Sequence, residues 1–387
     1  RDRSPSRGLG DVYKRQDIWD LVTQNPLCRI YDDEGKIIPY PFNTLDTNPF
    51  MLSDVDDRER HNYFFANIYA EVQLPIKGLT YRFNFGNNYR IDEHYQASEY
   101  GASLNGEAYK QHTEYYDWTF DNIVNYNGEF GDHSIAATFL YGASERKQNY
   151  TEAKSQKFSR LSLGFNSLEL GKDQFASSDA WSEALLYQMF RLNYKYKNKY
   201  LLTATVRRDG FSGFAENNKS AVFPSVALGW ILSEEKWFKI SWIDQLKVRG
   251  GWGISGNQTS RYKSLAKVKT EPGYVFGDGG ATETVQQIET MGNGDLKWEK
   301  TEGFNVGLDF SLFKNRLTGS LELYNTTTRD LLYDMVIPTI TGFSNVSSNI
   351  GKIRNKGVEL TITSRNFVLP DFEWTTTCLL YTSDAAD

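Results

Sequence analysis

The sequence predicts an all-β fold, an antiparallel β-barrel that crosses a membrane. Three observations predict it: apolar and polar residues alternate over long stretches, tight turns alternate with long polar connections, and aromatic residues gather near the tight turns. The alternation is cleanest in 301–332. Phe304, Val306, Leu308, Phe310 and Leu312 alternate with Asn305, Gly307, Asp309 and Ser311. The chain turns at Lys314-Asn315-Arg316, and the pattern resumes at Leu317, Gly319, Leu321 and Leu323. A period of two marks a strand pair with one apolar and one polar face. Each arm runs about a dozen residues, beyond the ~5–6 usual in soluble sheets and enough for a tilted strand that crosses a bilayer.

Composition agrees. A mean hydropathy of -0.55 resembles that of a water-soluble protein, because a barrel hides its apolar half in alternation. No run of about 18 apolar residues occurs, so a membrane-spanning helix is excluded and a barrel is the remaining way across. An aromatic content of 15% suits the ring girdles of such barrels. A net charge of -6 without a basic patch speaks against nucleic acid as a partner. The four histidines, His61, His94, His112 and His133, look too dispersed for a ligand set.

The chain in order gives the following expectations. Residues 1–16 and 378–387 read as translated sequencing adapter: Arg7–Gln16 and Cys378–Asp387 back-translate to a transposon adapter and its reverse complement. Cys28 is then the one native cysteine, and no disulfide is available. Residues 17–62, which carry the turn formers Asn25-Pro26, Asp32-Asp33-Glu34-Gly35, Pro39, Pro41 and Asn48-Pro49, read as a long loop. Residues 63–377 read as a partial transmembrane barrel of about twelve strands. Within it 63–74 and 79–85 form a hairpin about Pro75–Gly78, and the polar 90–112 connects to strands at 116–126 and 135–141. If short turns lie on one side and long connections on the other, 144–181 must be wholly a connection. Strands follow at 186–196, 200–206, 221–232 and 246–256, then a long loop at 257–296, the hairpin already described, and strands at 358–362 and 372–374.

Tyr194, Tyr196 and Tyr200 cluster at one turn, Phe310 and Phe313 at another, and Trp237, Phe238 and Trp242 about the longer connection at 233–244. Rings with a polar edge suit the headgroup level.

The phrases GLTYRFNFGNNY, FRLNYKYKNKYLLTATVRRDGFSGF, FPSVALGWILSEE, LKVRGGWGISGNQ, LKWEKTEGFNVGLDFSLFKNRLTGSLELYNTTTRDLL and NIGKIRNKGVEL occur in this order. In them the chain resembles SusC/RagA-type TonB-dependent outer-membrane transporters of the Bacteroidetes. The resemblance implies an internal piece of a barrel of about 22 strands occluded by a plug. It implies import of oligosaccharides or peptides, a SusD-type lipoprotein over the outer mouth, and energy from the TonB–ExbB–ExbD complex acting on the plug. A passive porin or adhesive barrel is the competing reading.

Gly251–Gly256 matches GxGxxG, but a polar loop follows where a dinucleotide site needs a helix. A strand end of small residues explains it better. Asp54, Asp56 and Asp57, or Asp32, Asp33 and Glu34, offer oxygen ligands without a full calcium spacing. Trp252, Tyr262, Tyr274 and Phe276 are candidate stacking surfaces for a sugar or peptide. Asn305, Asp309, Glu322 and Tyr324 are expected to face inward. No catalytic constellation, metal ligand set or cofactor motif emerges.

Overall fold

The computed structural model describes residues 27, 29–41, 48–52, 55–275, 282–343 and 345–386. The segment 1–26, Cys28, Asp54 and Phe276 therefore lie outside the described residues. Among the described residues no helix is long and apolar enough to cross a membrane.

Twelve strands form one sheet whose order follows the chain, interrupted by two inserted hairpins. They are β1 (Asp56–Gln73), β2 (Leu79–Ser98), β3 (Glu107–Phe130), β4 (His133–Phe158), β5 (Gly171–Tyr196), β6 (Tyr200–Phe211), β7 (Ser220–Ile231), β8 (Ile243–Asn257), β11 (Glu299–Leu312), β12 (Leu317–Arg329), β15 (Lys352–Leu369) and β16 (Phe372–Ala386). The hairpins β9 (Lys267–Val275) with β10 (Thr282–Thr290), and β13 (Leu332–Val336) with β14 (Asn345–Asn349), are separate two-stranded sheets within the long connections. β1 and β16 are the two ends of the main order. Each such end leaves one row of backbone groups open to a further strand.

Short turns and long connections alternate as expected. The turns at 197–199 and 313–316 are built on left-handed residues, Lys197 and Asn198 in the first and Phe313, Lys314 and Asn315 in the second. The predicted hairpin is present with its register: Phe304 faces Asn325, Val306 faces Leu323, Leu308 faces Leu321 and Asp309 faces Ser320.

Three expectations need correction. Residues 144–181 are not all connection, because β4 runs on to Phe158 and β5 begins at Gly171. The polar stretch 90–112 is likewise mostly strand, and β1 starts at Asp56 rather than 63. The reason is common to all three. These stretches extend past the roughly 9–11 residues a bilayer needs, where neither face has to be apolar. Pairing there is fixed by the backbone and by polar side chains such as Gln111 with Glu152, so apolar alternation disappears while the strand continues.

The chain divides into two compact units, one of Arg1–Phe65, Asn88–Asp117 and Lys147–Trp181, the other of Ala66–Asn87, Trp118–Arg146 and Ser182–Asp387. In the first unit Ala97, Ala108 and Phe165 form a small buried cluster, packed by Tyr95, Phe158, Leu161 and Leu168. In the second, Phe211, Phe214, Ala221, Phe223, Leu296 and Trp298 form another. There the Trp298 indole N–H donates to the Lys219 carbonyl at 3.0 Å, which ties the end of the long connection to the 212–219 loop.

Candidate functional site: the polar face of β6–β15

Residues directly opposite one another in a sheet share a face. Following the register across the second unit, Phe190, Val206, Val226, Leu228, Trp252, Phe304, Val306, Leu323 and Val358 fall on one side. Most of this set is exposed: Phe304 is 54%, Leu228 60% and Leu323 49% accessible. A water-soluble sheet buries such a face, whereas here the apolar side is the uncovered one.

The other side is polar and interlocked. Arg249 of β8 reaches across β11 to Glu322 of β12, with Nη1 and Nη2 donating at 3.1 and 2.9 Å, while its Nε–H donates to Asp309 at 3.3 Å. Lys247 lies 3.7 Å from the other Asp309 oxygen. Asn305 donates to Glu322 at 2.8 Å. A guanidinium that satisfies two carboxylates spans strands as a bidentate fork.

Glycine makes room for this layer. A Cβ on Gly307 would stand 2.7 Å from the Arg249 guanidinium carbon, and one on Gly251 would stand 2.5 Å from the Asn305 amide oxygen. Within the GxGxxG-like run, Gly251 leaves room for the Asn305 amide, whereas Gly253 abuts Ser225 and Gly256 abuts the Phe223 ring. The run is strand throughout, and no helix follows it.

Next to this network lies an open groove of about 880 Å³, lined on the polar face by Thr203, Ser225, Asn305, Glu322, Tyr324 and Glu359. Its walls offer hydroxyl, amide and carboxylate groups beside a single phenol. Such groups can hydrogen-bond a hydroxyl-rich or peptide ligand, but no nucleophile–base pair appears among them.

The predicted inward residues Asn305, Asp309, Glu322 and Tyr324 are thus together. Trp252 is not with them. Its side chain sits on the apolar face between Val226 and Phe304, and its indole N–H donates to Glu302 at 3.1 Å. Trp252 nevertheless borders the groove, from the strand face opposite to that of Asn305. The Tyr262 hydroxyl is held by the backbone of Ser182, accepting from N–H at 2.9 Å and donating to C=O at 3.0 Å. Tyr274 lies in β9, opposite Glu283 of β10. Asp32 accepts from the N–H groups of Glu34 and Lys36, so it serves a turn.

Sequence reasoning missed Arg249. The signal was there, since Lys247 and Arg249 alternate with Leu246 and Val248. It also missed the meeting of His94 with Asp57, because distant strand segments become neighbours only once a hairpin register is known.

The rings at the turn end form a chain. His133 and Tyr194 stack at 5.9 Å, Tyr196 and Tyr200 at 6.1 Å, Tyr200 and Trp230 at 6.1 Å, and Trp242 and Phe313 at 5.7 Å. His133 also meets Tyr196 at 4.9 Å and Trp230 meets Trp237 at 6.5 Å, so the rings from Tyr194 to Trp237 form one run, with Trp242 and Phe313 as a separate pair.

Comparison with known proteins agrees with this inverted architecture. The chain is 33% identical over 368 residues to TonB-dependent receptor P39 of Formosa agariphila, covering 92% of this chain and 34% of that protein. It is 41% identical over 191 residues to TonB-dependent receptor SusC of Bacteroides thetaiotaomicron, covering 48% of this chain and 19% of SusC. The structure of the RagAB peptide transporter superposes with a TM-score of 0.79 at 24% identity, over 92% of this chain and 40% of that one. The chain thus spans about a third of the length of curated relatives it matches. The family model described as TonB-dependent receptor-like β-barrel matches residues 8–387, and the chain belongs to that family of outer-membrane barrels.

Proposed function

We propose that the chain is part of the barrel wall of an importer that takes up oligosaccharides or peptides with a SusD-type surface lipoprotein. The TonB–ExbB–ExbD complex, acting through a plug domain, supplies the energy. The observation that carries this reading is the polar, groove-bearing face opposite a lipid-facing apolar one. A passive pore needs only a wet wall, whereas a groove with fixed donors and acceptors can hold a ligand. Ligand held tightly enough to be captured from dilute solution leaves slowly, so import requires work that converts the site to a weaker one. Similarity to SusC supports the reading, as does the fold shared with the RagAB peptide transporter.

In the proposal Asn305, Glu322 and Tyr324 contact ligand on the lumen side, and Tyr274 and Phe276 contact it from the long connection. The test is uptake of fluorescent maltooligosaccharides and oligopeptides by cells expressing the intact protein, with and without a protonophore. Energy-dependent uptake of one class is expected. Uptake that persists after the proton gradient is collapsed would replace the importer with a passive pore.

A further inference from the structure

At the far end of β1 from its tight turn, Asp57, Glu59 and His61 stand at every second residue, and Asp92 and His94 do so on β2. Period two puts each set on a single strand face. The hairpin brings the sets together. His94 Nε2 is 2.7 Å from Asp57 Oδ1 and 3.7 Å from Glu59 Oε1, and one donor atom from each of the three lies within 4.8 Å of the others. On the other side of Glu59, His61 Nε2 is 3.9 Å from Oε2, and its Nδ1 is 2.7 Å from Asp92 Oδ1.

Surrounding side chains orient this set. Gln96 donates to Asp57 Oδ2 at 3.0 Å, leaving Oδ1 directed at the imidazole. The Tyr109 ring stands edge-on to His94 at 5.2 Å and 88°. Arg58 and Arg60, which alternate with the three β1 donors, go elsewhere: Arg58 lies over the Phe165 ring and Arg60 reaches toward Glu93. Held donors of this kind are what fix metal ligands in place.

We propose that Asp57, Glu59 and His94 form a binding site for a divalent transition-metal ion, zinc in the first instance. Tetrahedral zinc with bonds of about 2.0–2.1 Å sets neighbouring donors roughly 3.3 Å apart. The two separations from His94, 2.7 and 3.7 Å, bracket that value, and the Asp57 and Glu59 donors lie within 4.8 Å of each other, so movements on the order of an ångström in side chains that are a quarter to a half exposed bring the donors into place. One imidazole with two carboxylates favours a first-row transition ion over calcium, which prefers six to eight oxygens. Three protein ligands leave a coordination position open to water or to a passing ligand group. Bound metal joins β1 to β2, and β1 is an end strand of the sheet order.

The test is zinc titration of the intact, detergent-purified protein at pH 7.5, in competition with a chromogenic chelator. One equivalent is expected at micromolar affinity, weakened at least about tenfold by either His94→Ala or Asp57→Asn and unchanged by His112→Ala or His133→Ala. X-ray absorption of the bound ion should show a single imidazole among oxygen ligands. Heat-modifiable migration in detergent electrophoresis shows that each variant is still folded. Undiminished zinc binding in His94→Ala, or calcium displacing zinc at equal concentration, would overturn the proposal.

Discussion

The two faces of β8, β11 and β12 are built from the same backbone and stabilised in opposite ways. On the lipid side Phe304, Val306 and Leu323 have no directional partners and stand largely uncovered. One residue away, Asn305, Asp309 and Glu322 are each held by hydrogen bonds to Arg249 or to one another. Lipid accepts any apolar shape, so the outer face is specified only by polarity and depth. Water in the lumen accepts any polar group, so the inner face gains definition from particular partners and from glycines that admit them. Alternation is thus a division of labour: one face places the strand in the bilayer, and the other builds a surface.

The largest effect should follow from breaking the outer rule. Val306→Arg puts a charge midway along β11, on the lipid face. A cation near the bilayer centre costs about 2–4 kcal/mol in barrels of this kind. The intact protein should lose heat-modifiable migration, or unfold at clearly lower urea in lipid vesicles. The neighbouring Asn305→Arg, on the lumen face, should change unfolding far less. Equal losses at 305 and 306 would show that the faces are not distinguished by their solvent.

A smaller effect should come from the inner rule. Arg249→Met keeps the length of the side chain but strands Glu322 and Asp309 beside each other. Removing one partner of a fully buried pair costs about 3–5 kcal/mol. These groups are only partly covered, at 27–34% side-chain exposure, so about 1–2 kcal/mol is expected after solvent screening. Gly307→Ala reaches the same network by another route, since its Cβ must displace the guanidinium. Measured together in a double-mutant cycle, the two changes should be less than additive because they remove one and the same interaction.

How much was legible follows from these faces. The β11–β12 hairpin could be read from sequence down to its turn because bilayer and lumen impose opposite polarity on alternate residues. The ends of β4 and β5 beyond the membrane could not. In Ser144–Phe158 and Gly171–Trp181 both faces meet polar surroundings, and nothing in the pattern separates a polar strand from a polar loop. By the same parity Asn305, Asp309, Glu322 and Tyr324 share one face of the sheet, as their alternation implies. Trp252 stands directly opposite Phe304 in the β8–β11 register, a placement on the apolar face that its own stretch of sequence did not disclose. The alternation of Lys247 and Arg249 with Leu246 and Val248 marked the face of Arg249, but not the two carboxylates that another hairpin supplies. Pairing across strands is the information that local pattern lacks, and the Asp57–His94 meeting depended on it too.

The smallest effect is expected where ion pairs leave the barrel wall for the connections. Lys263 donates to Asp334 of β13 at 2.7 Å, and Ser347 of β14 donates to the other carboxylate oxygen. The Lys263 hydrogen bond first, and that of Ser347 next, hold the Asp334 carboxyl below its usual range. A carboxyl depressed in the folded state contributes stability that is fully present above its unfolded value of about 3.9 and is lost as pH falls through the folded value. Both side chains are well exposed, at 38% and 50%, so the pair is worth under about 1 kcal/mol. Asp334→Asn should therefore leave global unfolding of the intact protein unchanged. It should speed backbone hydrogen exchange in 332–349 at pH 7 by a few-fold. Lowering the pH toward 3 should erase the difference between variant and parent, once exchange rates are corrected for their intrinsic pH dependence. If instead Asp334→Asn destabilised the whole protein as much as Arg249→Met, geometry alone would set the worth of an ion pair, and the contrast between wall and connection would fail.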